Sequence, residues 1–155
     1  TATIPAAVPW IAVSLSAKTQ YGIVSLIELA SIYEQGTVLQ VAEIAQRQGI
    51  PDRYLEQMLT SLRRARILRS IRGPRGGYQL ARPPAEILMQ EVVAVLEGEA
   101  APRSSSERTT AEFDVLRALE DQLDSARRRI LAGTSVQDLL DQRDQMVQAQ
   151  AMYFI

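Results

Sequence analysis

The sequence predicts a mainly α-helical fold with one small β-hairpin, and three observations carry that prediction. Apolar residues recur at helical intervals through residues 17–65, with Gly36, Gly49 and Pro51 punctuating the run. A Gly-rich pentapeptide, GPRGG at 73–77, separates two short stretches of strand character. Further on, Leu116, Leu119, Leu123, Ala126 and Ile130 are spaced 3, 4, 3 and 4 residues apart, the a/d spacing of a helix that packs against another helix.

Each element follows from local chemistry. Tyr21, Val24, Ile27, Leu29, Ala30, Ile32 and Tyr33 define a helix over 17–35, with Ser16 as its N-cap and Gly36 as its stop. Val41, Ile44 and Ala45 share one face of a shorter helix, 41–48, closed by Gly49. The next helix starts at Pro51, with Asp52 near the positive end of its dipole, and runs to about residue 65. Its buried face is Leu55, Met58, Leu59 and Leu62. Two short helices joined by a tight Gly turn form a helix-turn-helix. The hairpin that follows, 68–72 and 78–82, is then its wing, and a return helix is predicted over 88–97. Gly133 ends the heptad helix, and Thr134 with Gln137 reads as the capping box of a last one. The chain therefore divides into a flexible leader 1–13, a winged helix-turn-helix domain 14–98, a mobile loop 99–110, a dimerisation helix with a terminal helix 111–150, and a tail 151–155. The heptad spacing also suits a helix packed on its own domain; the winged domain accounts for its own core, which favours dimerisation.

Composition excludes several functions. The chain has 155 residues with neither Cys nor His, which removes thiolate chemistry and leaves little for zinc binding or general base catalysis near neutral pH. No apolar run reaches membrane-spanning length, and Pro5 and Pro9 interrupt a leader that lacks a basic segment, so the expected location is cytoplasmic. The GPRGGY stretch lies between strands, not at a helix N-terminus, which argues against a phosphate-binding loop and against an enzyme. Net charge is −1, yet residues 51–82 hold eight arginines against Asp52 and Glu56, a local +6 that leaves −7 for the rest. Such asymmetry suits a focused anion-binding face.

On the second short helix, Arg53, Glu56, Gln57 and Thr60 form an exposed stripe of side chains able to read bases from the major groove. Arg63, Arg64 and Arg66 suit phosphates, and Arg72 and Arg75 sit at a narrow wing tip able to enter a minor groove. Any one of these residues alone reads equally as a solvated helix charge; the stripe and the wing together read as a DNA interface.

The stretches YLEQ at 54–57, LR at 62–63 and SIRGPRGGY at 70–78 resemble the Rrf2 family of bacterial winged-helix regulators. The resemblance covers most of the chain, the heptad helix included. It implies a homodimer on a near-palindromic operator of double-stranded DNA, often acting as a repressor. It places Arg53, Glu56 and Gln57 at base-reading positions and Arg72 in the minor groove, and brings Tyr54 and Gly76 into the interface. Cluster-binding members carry three cysteines in the loop corresponding to 98–110. This chain has none there, and its Ser104, Ser105 and Ser106 are consecutive, so no iron–sulfur cluster or other cofactor is expected.

The tail Met152, Tyr153, Phe154 and Ile155 is apolar and aromatic. Either it packs on the protein's own core or dimer partner, or it binds another protein. It is similar to the isoleucine-terminated tail of the family's cysteine-metabolism repressors, which implies O-acetylserine sulfhydrylase as a partner through capture of a terminal carboxylate. The alternative is a regulator of another stress or metal pathway whose tail only packs within its own dimer.

Overall fold

A computed structural model of the protein describes residues 15–98 and 109–153. The leader 1–13, nearly all of the loop 99–110, and Phe154 and Ile155 lie outside the described residues. The architecture is mainly helical with one hairpin, as the sequence predicts.

Helix α1, Ala17–Ser31, starts at Ser16, whose hydroxyl accepts from the Thr19 N–H at 3.3 Å. It stops four residues before the predicted end. The Ser31 hydroxyl donates to the Glu28 carbonyl, and the chain tightens into i→i+3 bonds from Ile32 to Leu29 and Tyr33 to Ala30. Helix α2, Val41–Gln48, has the predicted bounds. Helix α3, Asp52–Arg64, begins one residue later than predicted, because Pro51 is its extended N-cap and not its first helical residue.

Helices α2 and α3 end in the same way. Ile50 N–H bonds the Ala45 carbonyl across Gly49 at φ 66°, and Ile67 N–H bonds the Leu62 carbonyl across Arg66 at φ 62°. Both are left-handed caps, a position that favours glycine. Arg66 is the only non-glycine residue at positive φ among the described residues. Arg66→Gly is therefore expected to stabilise the fold, by about 0.5–1 kcal/mol, readable as a raised midpoint in urea; a lower midpoint contradicts this.

Strand β1, Leu68–Ile71, pairs antiparallel with β2, Gly77–Leu80, in the register Leu68↔Leu80, Arg69↔Gln79, Ser70↔Tyr78 and Ile71↔Gly77. The strands are shorter than the predicted 68–72 and 78–82, and β2 begins one residue earlier. An unpredicted feature seats the hairpin: Leu39, just before α2, exchanges both backbone hydrogen bonds with Tyr78, at 3.0 and 2.8 Å. After a short 3-10 turn at Pro84–Glu86, also unpredicted, come α4, Met89–Glu97, and α5, Ala111–Ala132.

Helix α6, Val136–Tyr153, corrects the predicted capping box. Ser135 and Asp138 cap each other, Ser135 N–H to Asp138 Oδ2 at 2.8 Å and Asp138 N–H to Ser135 Oγ at 3.1 Å. Thr134 instead donates its hydroxyl to the Ile130 carbonyl. Backbone bonds from Met89 N–H to Thr134 and from Val136 N–H to Ile87 fix this register.

The core gathers Leu26, Leu29, Ile44, Leu55, Leu59 and Leu62 with Ile67, Leu80, Ile87 and Val92, and Val136 of α6 joins them. No residue of α5 is buried.

Candidate nucleic-acid interface

Helix α3 divides as its periodicity requires. Leu55, Met58, Leu59 and Leu62 are buried, while Arg53, Tyr54, Glu56, Gln57, Arg63 and Arg64 are exposed and Thr60 is half-buried. Arg53, Glu56, Gln57, Thr60 and Arg64 line one open concavity of about 520 Å³ together with Met58 and Ser61. The structure thus brings the predicted base-reading stripe together on one surface. Within it, the Thr60 hydroxyl donates to the Glu56 carbonyl at 2.8 Å and Ser61 to the Gln57 carbonyl at 3.1 Å. Thr60 therefore offers its methyl group and an acceptor lone pair, but not its proton, to a base edge.

The wing follows directly from the buried end of α3. Leu68 and Leu80 pack into the core, and Ser70, Ile71, Arg72 and Arg75 are exposed beyond them. The turn is closed by Gly76 N–H to the Gly73 carbonyl at 2.9 Å. A Cβ at Gly76 would stand 2.1 Å from the Ile71 carbonyl oxygen, and one at Gly77 would stand 2.5 Å from that of Leu39. Adjacent glycines are thus required by close backbone approach, one inside the hairpin and one where it meets the loop before α2.

Electrostatics separates this surface from the rest. Arg47 pairs with Glu28, Arg127 with Glu97, Arg128 with Asp124, Arg143 with Asp144 and Arg117 with Asp114. On α3 and the hairpin, by contrast, Arg53, Arg63, Arg64, Arg66, Arg69, Arg72 and Arg75 have no acid partner among the described residues. Only Arg82 of the basic segment is neutralised, by Glu91 at 2.5 Å. Pairing across the loop to α4 was not readable from its sequence neighbours. The result is seven guanidinium groups clustered in sequence on a helix, its cap and its wing, all lacking local compensation, which is the chemistry of a polyanion site.

The heptad seam lies apart from this surface. Leu116 is 47% exposed, Leu119 52%, Leu123 63% and Ile130 65%, whereas Ala126 is half-buried within the protomer. Val115, 72% exposed, extends the apolar stripe by a residue that strict a/d spacing leaves out. In the tail, Met152 and Tyr153 are exposed at the end of α6. No helix among the described residues is long and apolar enough to cross a membrane.

Comparison with known proteins gives consistent matches. The sequence model of the Rrf2 family, described as iron-dependent transcriptional regulator, matches residues 15–142. The HTH-type transcriptional regulator CymR of Bacillus subtilis is 34% identical over 139 residues, which cover 90% of this chain and 98% of that protein. Among solved structures, that of CymR, the global cysteine regulator of B. subtilis, aligns with a TM-score of 0.74 at 32% identity, covering 83% of this chain and 96% of that one. The T. potens IscR structure aligns with a TM-score of 0.72 at 28% identity, covering 86% of this chain and 90% of that one.

Iron dependence, named in the family's description, requires donors. The sequence has no Cys and no His, and no group of three or more Asp or Glu residues converges among the described residues. Hard carboxylates scattered over the surface do not fit an iron–sulfur cluster, which is held by thiolates or imidazoles.

Proposed function

The chain belongs to the Rrf2 family of transcriptional regulators, and from that premise we propose that it is a homodimeric, cluster-free repressor that grips a near-palindromic operator with α3 and the wing of each protomer. The observation that carries this reading is the set of seven arginines on α3, its cap and the hairpin that have no acid partner among the described residues, where most other arginines are ion-paired. Base reading falls to Arg53, Glu56 and Gln57, with Thr60 contributing its methyl group. Tyr54, Arg63 and Arg64 hold phosphates, and Arg72, Arg75 and the close-packed Gly76 place the wing tip in the minor groove. Leu116, Leu119, Leu123, Ala126 and Ile130 form the seam between protomers. The protein acts on chromosomal DNA in the cytoplasm.

A competition assay among duplexes that differ by single base pairs tests the reading helix. Glu56→Ala is expected to relax discrimination at one base pair of each half-site, by about 1–3 kcal/mol, while Arg72→Ala weakens binding most where the minor groove is narrow. Uniform weakening on every sequence by Glu56→Ala contradicts a reading role.

Likeness to a cysteine regulator, together with a tail whose Met152 and Tyr153 are 75% and 91% exposed, supports a second reading. In it the regulator acts in sulfur metabolism, and the tail Met152, Tyr153, Phe154 and Ile155 docks on O-acetylserine sulfhydrylase. Calorimetry is expected to give heat of binding with the intact chain and none after removal of Ile155; equal heats from both contradict the partner.

A further inference from the structure

Gln79 is the one buried side-chain amide of the hairpin, 9% exposed, and its bonds run in two directions. Its Oε1 accepts from Arg69 Nε at 2.5 Å, across the register pair Arg69↔Gln79. Its Nε2 donates to the carbonyls of Gly36 and Thr37 at 3.5 and 3.4 Å, in the loop just ahead of α2. The amide therefore ties the wing to the helix-turn-helix and holds a guanidinium by its inner nitrogen. Arg69 is exposed and has no acid partner among the described residues, so its two outer nitrogens remain as unused donors in a fixed plane.

Position gives this arrangement a use. Arg69 and Ile71 share one face of β1, and Arg69 lies three residues before the wing-tip Arg72, roughly 10 Å back along the strand. A minor groove is about 7.5 Å deep. With Arg72 inside the groove, Arg69 stands level with the phosphates of its wall. We propose that Arg69 is a phosphate anchor for the wing and that Gln79 is its positioning residue, setting the anchor relative to α2 and α3. This rests on the wing's role in DNA binding proposed above.

The test uses the full chain, a labelled 30-base-pair duplex selected from random DNA, a scrambled duplex of equal composition, and anisotropy from 50 to 200 mM salt. Arg69→Ala is expected to weaken both duplexes equally, about tenfold at the lowest salt, and to reduce the log–log salt slope by about 1.8, about 0.9 for each of the dimer's two anchors. Arg69→Lys, which keeps the charge, is expected to retain the slope. Gln79→Leu is expected to weaken binding about threefold in the wild-type background and by clearly less when Arg69 is already alanine. That non-additivity separates positioning of Arg69 from a purely structural role. An unchanged slope in Arg69→Ala, or additive effects of the two variants, overturns the proposal and leaves the DNA reading intact. Failure of the wild-type chain to bind either duplex overturns the DNA reading itself.

Discussion

Replacing Leu119 and Leu123 with aspartate is expected to yield a folded monomer that has lost its hold on a two-half-site duplex. Both side chains are more than half exposed in the protomer and neither belongs to the core, so the substitutions remove little intramolecular packing. Helical content is expected to survive, as circular dichroism would show. Four buried like charges across a symmetric seam are another matter, because an unpaired carboxylate in an apolar interface costs several kcal/mol. Light scattering is expected to report the mass of one chain in place of two. A half-site bound by one α3 and one wing retains its phosphate contacts, but the second half-site is no longer held at high effective concentration, a loss of about 10²–10⁴ in affinity. A variant that remains a dimer contradicts the assignment of the seam.

Gly77→Ala is expected to unseat the wing from the loop before α2. Its Cβ meets both the carbonyl oxygen of Leu39 at 2.5 Å and the carbonyl carbon at 2.8 Å, and backbone cannot rotate away as a side chain can. Leu39 also exchanges two backbone hydrogen bonds with Tyr78, the residue next to Gly77, so relief of the clash breaks them. Overpacking and two lost backbone bonds together amount to about 2–4 kcal/mol, or a melting midpoint lower by roughly 5–15 °C. DNA affinity falls with it, since the wing swings on this contact. Gly73 is the internal control: at φ 114° it has nothing within 4 Å of an added Cβ, so Gly73→Ala meets backbone strain alone and is expected to cost about 1 kcal/mol. A larger loss at Gly73 than at Gly77 contradicts this account of the double glycine.

Much of this molecule is legible in its sequence because its elements are locally determined. Helices α2 and α3 announce themselves through Gly49, Pro51 and a clean apolar stripe, and α5 as a helix with an exposed apolar stripe through spacing alone. What was not legible depends on distant partners. Thr134 and Ser135 open two overlapping capping boxes, and only backbone bonds to Ile87 and Met89 select the second. Leu39 joins the hairpin as a single bridged residue, too short to leave a period-two pattern. Arg82 counts toward the basic segment on paper but is silenced by Glu91. Arg69 counts equally on paper, yet its setting by Gln79 depends on a strand register that the sequence does not specify to the residue. The stripe on α3 was readable because a helix fixes its own geometry, whereas the wing's orientation is a tertiary fact.

The claim on which the account rests is that the arginines of α3 and the wing close on duplex phosphate. Binding of the purified chain to a random-sequence duplex pool, followed across ionic strength, tests it most directly. The expected result is retention of duplex at 50 mM salt with a log–log slope steeper than about −5, equivalent to six or more neutralised phosphates. A chain that retains no duplex at that salt, or whose binding is flat across the series, contradicts it.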